Sequence, residues 1–129
     1  MDKKKILVVD DEIEFLEMLR IRLEVSGFDV ITATNGQDAL EKINKEKPNA
    51  VLLDVLMPGI DGLGVLKKIR KTDKDLPVYI ITAFSNEERF KVANKLGASG
   101  FIVKTVDLKK EIENITTALN LSDKFKSKK

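Results

Sequence analysis

The sequence predicts an α/β fold in which five βα units form one doubly wound parallel sheet. Two observations carry this prediction: short apolar runs rich in β-branched residues recur along the 129 residues, and segments with helical periodicity separate them. Because the runs are almost continuously apolar, they are typical of strands buried on both faces of a parallel sheet. Strands that alternate with helices indicate right-handed crossovers within one domain.

The predicted strands are runs of three or four residues, each bounded by turn-forming residues. They are Ile6–Val9, Val30–Ala33, Ala50–Leu53, Val78–Ile81 and Phe101–Val103. No linker or low-complexity segment divides them. We therefore expect one domain over residues 1–121, followed by a basic tail over residues 122–129.

The predicted helices follow the strands, and several carry end signals. They cover Glu12–Ser26, Gln37–Glu46, Leu63–Lys71, Asn86–Leu96 and a fifth segment that begins at Asp107. Gly27 is suited to a left-handed cap after the first helix, the second helix ends before Pro48, and Gly97 ends the fourth. Ser85 and Glu88 form a capping box at the start of the fourth helix.

The composition excludes several kinds of chemistry. The chain has no Cys, which excludes disulfides, thiolate nucleophiles and Cys-ligated zinc. It also has no His, which excludes a Ser-His-Asp triad and imidazole ligands. Any chemistry must therefore use carboxylates, hydroxyls, lysine, arginine and the backbone.

The net charge of +2 does not indicate a nucleic-acid-binding face. Residues 122–129 carry four Lys and one Asp, so the tail contributes +3 and residues 1–121 carry −1. No apolar run approaches the ~18 residues of a membrane span, and the N-terminus lacks the pattern of a signal peptide. We expect a cytoplasmic protein with no membrane contact.

Charged or hydroxyl side chains follow four of the predicted strands. Asp10 and Asp11 follow the first strand, Asp54 the third, Thr82 the fourth and Lys104 the fifth. An isolated acid at a strand end is usually a helix cap or a solvated loop residue. However, in a doubly wound sheet the carboxyl ends of the strands are where ligands bind, so five such residues at one edge favour a functional site.

The residue types at this edge indicate a metal-assisted phosphoryl site. Clustered carboxylates repel one another unless a cation lies among them. A ligand set made only of oxygen favours Mg²⁺, with Mn²⁺ as an alternative. Such a metal beside a lysine and a hydroxyl suits a transferring phosphoryl group, with one carboxylate as nucleophile or acceptor.

From about Lys4 to Leu121 the chain resembles the receiver domain of two-component response regulators, in the stand-alone form used in chemotaxis or phosphorelays. The resemblance rests on an ordered set of motifs: I-L-V-V-D-D-E (6–12), L-L-D-x-x-M-P-G-x-D-G (52–62), I-I-T-A (80–83) and V-K (103–104). It implies a five-stranded flavodoxin-like sheet with strand order 2-1-3-4-5.

The resemblance also implies the roles of the site residues. Asp54 would be the phosphoacceptor, and Mg²⁺ would be held by Asp10, Asp11, Asp54 and the backbone carbonyl of Leu56. In the loop after the acceptor, Pro58 and the glycines, including Gly62, are expected to set the turn.

A conformational switch is implied by three further positions. Thr82 would follow the phosphoryl group, Lys104 would pair with it, and Phe101 stands where the family has its aromatic switch residue. The face formed by the fourth helix, the fifth strand and the fifth helix would change shape and bind a downstream protein.

The function implied is that of a phosphoacceptor rather than a turnover enzyme. The phosphoryl donor would be a sensor histidine kinase or a histidine phosphotransfer protein. If the chain is complete, no output domain follows, so DNA binding is disfavoured.

An aspartate-nucleophile phosphohydrolase is a rival, but D-x-D-x-T is missing after the first strand. A dinucleotide-binding unit would need a glycine-rich turn there. A third rival is an interaction module that has lost phosphorylation.

Two departures from the family pattern affect the loops. Thr105 follows Lys104 where the family usually has a cis proline; a non-proline cis bond costs about 3–4 kcal/mol, so we expect a trans bond or a strained cis bond. Leu56 and Phe84 are apolar where water would approach the phosphoryl group. They predict slow self-dephosphorylation, with simple loop packing as the alternative.

The first predicted helix has two apolar stripes. One contains Phe15 and three leucines and is suited to the core, whereas Met18, Ile21 and Val25 lie roughly opposite. In the family this helix docks phosphohistidine-bearing partners, which suggests Phe15, Met18 and Ile21 as a partner surface. Incidental edge packing is the alternative.

Overall fold

A computed structural model describes residues 3–55, 62–82, 87–103, 110 and 113–117 of the chain. Its five strands form one parallel sheet in the order β2-β1-β3-β4-β5, which confirms the predicted topology. The strands are β1 (Lys5–Val9), β2 (Asp29–Ala33), β3 (Ala50–Asp54), β4 (Val78–Thr82) and β5 (Gly100–Val103).

The helices lie where the sequence periodicity predicted them. They are α1 (Ile13–Val25), α2 (Gly36–Glu46), α3 (Gly62–Thr72) and α4 (Glu87–Lys95). Residues 110 and 113–117 are also helical and form the described part of α5. The predicted capping residue Ser85 and the predicted start of the fifth helix at Asp107 lie outside the described residues.

The strands bury alternate residues in two layers, because successive side chains point to opposite faces of a sheet. One layer packs α2, α3 and α4 against strand residues that include Leu7, Val9, Val51, Leu53 and Ile80. The other packs α1 and α5 against strand residues that include Ile6, Val8, Leu52, Ile81 and Ile102. The continuous burial of β3 and β4 explains their uninterrupted apolar runs, whereas the edge strand β2 is only partly buried.

The predicted carboxyl ends of α1, α2 and α4 are confirmed, with one addition. Gly27 (φ 101°) and Gly97 (φ 95°) adopt the left-handed conformation after α1 and α4. Asn35 caps the amino end of α2, because its side-chain oxygen accepts the N–H of Asp38 at 2.8 Å. Lys47 caps the carboxyl end of α2. With a φ of 50° it adopts the left-handed conformation, which glycine usually takes at such a position. The sequence placed this end before Pro48 but gave no sign that a lysine would adopt the cap.

Arg70 connects the ends of two helices. Its Nε donates to the carbonyl of Gly97 at 2.9 Å, and its Nη1 donates to the carbonyl of Asp73 at 3.0 Å. Partial burial lowers the pKa of the Arg70 guanidinium, and the nearby carboxylates of Asp73 and Asp75 oppose that shift. The carboxyl ends of α3 and α4 are thereby joined on the side of the sheet away from the predicted site.

Candidate functional site

Three carboxylates meet at the carboxyl edge of the sheet. Each contributes one carboxylate oxygen, and these three oxygens, from Asp10, Asp11 and Asp54, all lie within 4.8 Å of one another. They meet because β1 and β3 are neighbours with Val9 opposite Leu53, so the residues that follow these two lie side by side. The convergence expected from the strand ends is therefore present for these three residues.

The backbone holds the first of these carboxylates in place. Oδ1 of Asp10 accepts the N–H of Glu12 at 2.9 Å, and the N–H of Asp10 donates to the carbonyl of Ala33 at 3.1 Å. These bonds tie the carboxyl end of β1 both to the start of α1 and to the end of β2. The carboxylate is therefore fixed by secondary structure on both sides.

The cluster combines buried and exposed carboxylates. Asp10 is fully buried and Asp54 is 4% exposed, whereas Asp11 is exposed to solvent. Anionic groups withdrawn from water in this way are costly unless a cation or hydrogen bonds compensate them. Three carboxylates with one side open to water match the preference of Mg²⁺ for oxygen ligands completed by water. The donor set therefore fits such an ion.

Thr82 lies at the same edge, beside the strand that carries Asp54. It is the last residue of β4 and is 2% exposed. Asp54 is opposite Ile81, so Thr82 is one residue further toward the carboxyl edge. Thr82 therefore lies at the carboxyl end of β4, and its predicted role stays a prediction.

Several predicted residues lie outside the described part of the chain. They are Leu56, Phe84, Lys104, Thr105 and the tail over residues 122–129. Their predicted roles therefore stay predictions.

Phe101 contacts Phe90, an aromatic residue that no sequence motif marks. Phe101 is half-buried on β5, and its ring centroid lies 4.7 Å from that of Phe90 on α4, with 53° between the ring planes. Such tilted aromatic pairs are favourable beyond the area they bury. The predicted switch residue is therefore in direct contact with α4.

The outer face of α1 exposes the predicted apolar strip. Met18 is 41%, Ile21 52% and Val25 83% exposed. Phe15 is half-buried instead and packs against the core layer beneath α1, so it contributes less exposed surface than the predicted partner surface assumed.

A small charge network lies on the same helix. Arg20 forms ion pairs with Glu17 at 2.6 Å and with Glu24 at 2.9 Å. The hydrogen bond from Arg20 lowers the pKa of Glu17, and desolvation opposes that shift. Both carboxylates are solvent-exposed, so these pairs contribute little to stability.

Comparison with known proteins places the chain among signalling proteins. Residues 6–116 match the family described as "Response regulator receiver domain". A relative described as "Probable transcriptional regulator ycf27", from Porphyridium aerugineum, is 40% identical over 127 residues, which are 98% of this chain and 52% of that protein. The chain thus spans about half the length of the curated relative.

Two solved structures agree with the observed fold. A receiver domain protein (CheY-like) from Methanospirillum hungatei is 28% identical with a TM-score of 0.87, and the match covers 95% of this chain and 98% of that one. The response regulator protein TrrA from Thermotoga maritima, solved in complex with Mg(2+)-BeF, is 36% identical with a TM-score of 0.79. That match covers 89% of this chain and 98% of TrrA. Within the described part of the chain, no helix has the length and apolar character needed to cross a membrane.

Proposed function

The chain belongs to the response regulator receiver family, and on that premise we propose that Asp54 accepts a phosphoryl group while Asp10, Asp11 and Asp54 hold Mg²⁺. The observation that carries this proposal is the meeting of three carboxylates at one strand edge, with Asp54 itself buried at the end of β3. The donor is a sensor histidine kinase or a histidine phosphotransfer protein. The chain cannot supply the phosphohistidine itself, because it contains no His.

The proposed reaction is a transfer between two nucleophiles. An oxygen of the Asp54 carboxylate attacks the phosphorus of the donor, a P–O bond forms and the P–N bond to the donor imidazole breaks. The imidazole keeps the electron pair of that bond and is protonated from solvent. Since the acceptor is a carboxylate and carries no proton to remove, no general base is needed.

The remaining site residues support the same transfer. Bound Mg²⁺ would neutralise charge on the phosphoryl oxygens. In this proposal Thr82 donates a hydrogen bond to one of those oxygens, and Lys104 pairs with the same charge. The carbonyl of Leu56 is the proposed fourth protein ligand of the metal.

The proposed output is a change in the surface that includes α4, β5 and α5. After transfer, Thr82 moves toward the phosphoryl group and Phe101 moves into the space that the threonine leaves. Contact between Phe101 and Phe90 supports this route, because it couples β5 directly to α4. A downstream protein then binds the changed face.

The proposal concerns the receiver domain, assigned to residues 1–121, and not the basic tail over residues 122–129. The Porphyridium relative is described as a transcriptional regulator, but the chain spans only about half of it, so no DNA contact is proposed. We place the domain in the cytoplasm, where a histidine kinase has its phosphohistidine. Self-dephosphorylation is slow in this proposal, because Leu56 and Phe84 hinder the attacking water.

Intact-mass measurement tests the proposed acceptor. Incubation with a small acyl-phosphate donor and Mg²⁺ should add about 80 Da, the mass of one phosphoryl group, and chelation of Mg²⁺ should prevent the gain. Asp54→Ala should show no gain, whereas the control Asp29→Ala, at an exposed position of β2, should react like the wild type. A gain that persists in Asp54→Ala contradicts the proposal. Decay of the added mass within seconds would contradict slow self-dephosphorylation.

A further inference from the structure

Gly62 lies against the backbone of the proposed phosphoacceptor. It is the buried first residue of α3, and its N–H donates to the carbonyl of Val55 at 3.1 Å. This bond joins the two described residues that flank positions 56–61. The chain therefore leaves the carboxyl end of β3 at Val55 and returns to the same place at Gly62.

No side chain fits at Gly62. A Cβ atom there would overlap the carbonyl oxygen of Asp54, and it would lie 2.8 Å from the carbonyl carbon of Asp54 and 2.6 Å from Cα of Val55. Cβ atoms in proteins essentially never lie within 3.0 Å of a heavy atom outside their own residue and its chain neighbours. Because these three nearest atoms all belong to the backbone, no rotation of a side chain can relieve the overlap.

The requirement for glycine at this position is one of space and not of conformation. Among the glycines that the structure describes, the left-handed conformation is found at Gly27 and Gly97. Gly62 instead begins a helix and does not have a positive φ. Whether Gly62 also helps to set the turn after the acceptor stays a prediction, because residues 56–61 lie outside the described residues.

We propose that Gly62 is a positioning residue for phosphoryl transfer. Its bare Cα lets the amino end of α3 press against the Asp54–Val55 peptide, which fixes the direction in which the Asp54 side chain leaves the strand. The distance from that carboxylate to Asp10 and Asp11 is set in the same way. This inference rests on the proposed function and adds a residue to it that contacts neither metal nor phosphoryl group.

A small shift at this peptide has a large effect on transfer. Displacing a reacting group by about 1 Å can slow a reaction about 100-fold. Gly62→Ala must separate α3 from the Asp54–Val55 peptide to make room for the methyl group. We therefore expect phosphoryl uptake to slow by about 10- to 100-fold, together with weaker binding of Mg²⁺.

The test compares Gly62→Ala with Val65→Ala in the same helix. Val65 is fully buried in the layer that holds α3 to the sheet, so its truncation loosens that packing without crowding the Asp54–Val55 peptide. For each variant the thermal midpoint, the initial rate of phosphoryl uptake from a small donor, and the Mg²⁺ dissociation constant by titration calorimetry are measured. Both variants should lose thermal stability, but only Gly62→Ala should lose uptake rate and Mg²⁺ affinity.

The outcomes separate this inference from the proposed function. If the wild type takes up no phosphoryl group, the proposed function fails. If the wild type reacts, and Gly62→Ala matches Val65→Ala in rate and Mg²⁺ affinity, only the positioning role of Gly62 is overturned.

A second measurement covers a Gly62→Ala variant that does not fold. In the wild type, saturating Mg²⁺ should slow hydrogen exchange at the amide of Gly62, because an ion held by Asp54 favours the state in which α3 packs against the Asp54–Val55 peptide. The amides of Gly27 and Gly97, which lie at the other end of their helices, should be slowed less and serve as internal references. Exchange at Gly62 that Mg²⁺ slows no more than at these references overturns the inference.

Discussion

The carboxyl edge of the sheet and the outer face of α1 depart from ordinary burial in opposite directions. At the edge, charged or polar side chains are buried, namely Asp10, Asp54 and Thr82. On α1, apolar side chains are exposed, namely Met18, Ile21 and Val25. Buried polar groups and exposed apolar patches are the informative deviations in a folded protein. We propose the edge as the site of an ion and a phosphoryl group, and the α1 face as a surface for another protein.

The two regions also differ in how they affect the stability of the isolated domain. Like charges brought together at the edge oppose folding until a cation binds. The exposed side chains on α1 lose little solvent exposure on folding, so they contribute little to stability. Substitutions and ligands should therefore act on the two regions differently, and three measurements sharpen that comparison.

The largest expected difference lies within α1 itself. Leu23→Ala removes a fully buried side chain and should lower the free energy of unfolding by about 2–5 kcal/mol. Val25→Ala, two residues away on the exposed face, should change it by no more than about 0.5 kcal/mol. Urea denaturation followed by circular dichroism measures both. Equal losses would mean that the exposed strip contributes to the core after all.

The second expected effect is stabilisation of the edge by Mg²⁺. An ion that binds only the folded state at about 100 times its dissociation constant should add about 2.7 kcal/mol to the free energy of unfolding. Asp10→Asn should lose most of this increment, whereas Asp75→Asn, at an exposed position away from the edge, should keep it. The measurement is urea denaturation with Mg²⁺ and with chelator. If Mg²⁺ raised the free energy of unfolding of Asp10→Asn as much as that of the wild type, the carboxylate cluster would be excluded as the Mg²⁺ site.

The sheet and the meeting of the acids could be predicted because both follow from periodicity along the chain. Buried parallel strands leave continuous apolar runs, and the residues that follow them gather at one edge whatever the details of packing. Even so, the sequence could not distinguish the buried Asp10 from the exposed Asp11. Their difference depends on which way each residue points as the chain leaves β1.

Contacts between elements distant in sequence were beyond prediction. The requirement for glycine at position 62 depends on how closely α3 approaches the Asp54–Val55 peptide in space. The contact between Phe90 and Phe101 depends on how α4 is placed over β5. Neither relation leaves a pattern in the local sequence, because each is fixed by three-dimensional packing.

The smallest expected effect is on the rate of phosphoryl transfer. It should depend on the donor, because only a protein donor would contact the α1 face. If the α1 strip docks a partner, Met18→Ala and Ile21→Ala should each slow transfer from a phosphohistidine protein about 5-fold, which corresponds to about 1 kcal/mol of lost contact. Uptake from a small donor should not change, because that reaction needs only the edge. Rates are measured by intact mass with each donor in turn.

The matched control for that prediction is Val92→Ala. Val92 is another exposed apolar side chain, but it lies on α4, so its truncation should leave the transfer rate from either donor unchanged. Slower uptake from both donors in the α1 variants would show that the strip affects the chemistry and not docking. Unchanged transfer from the protein donor would leave the strip as exposed edge packing, and the comparison would then rest on the carboxylate edge alone.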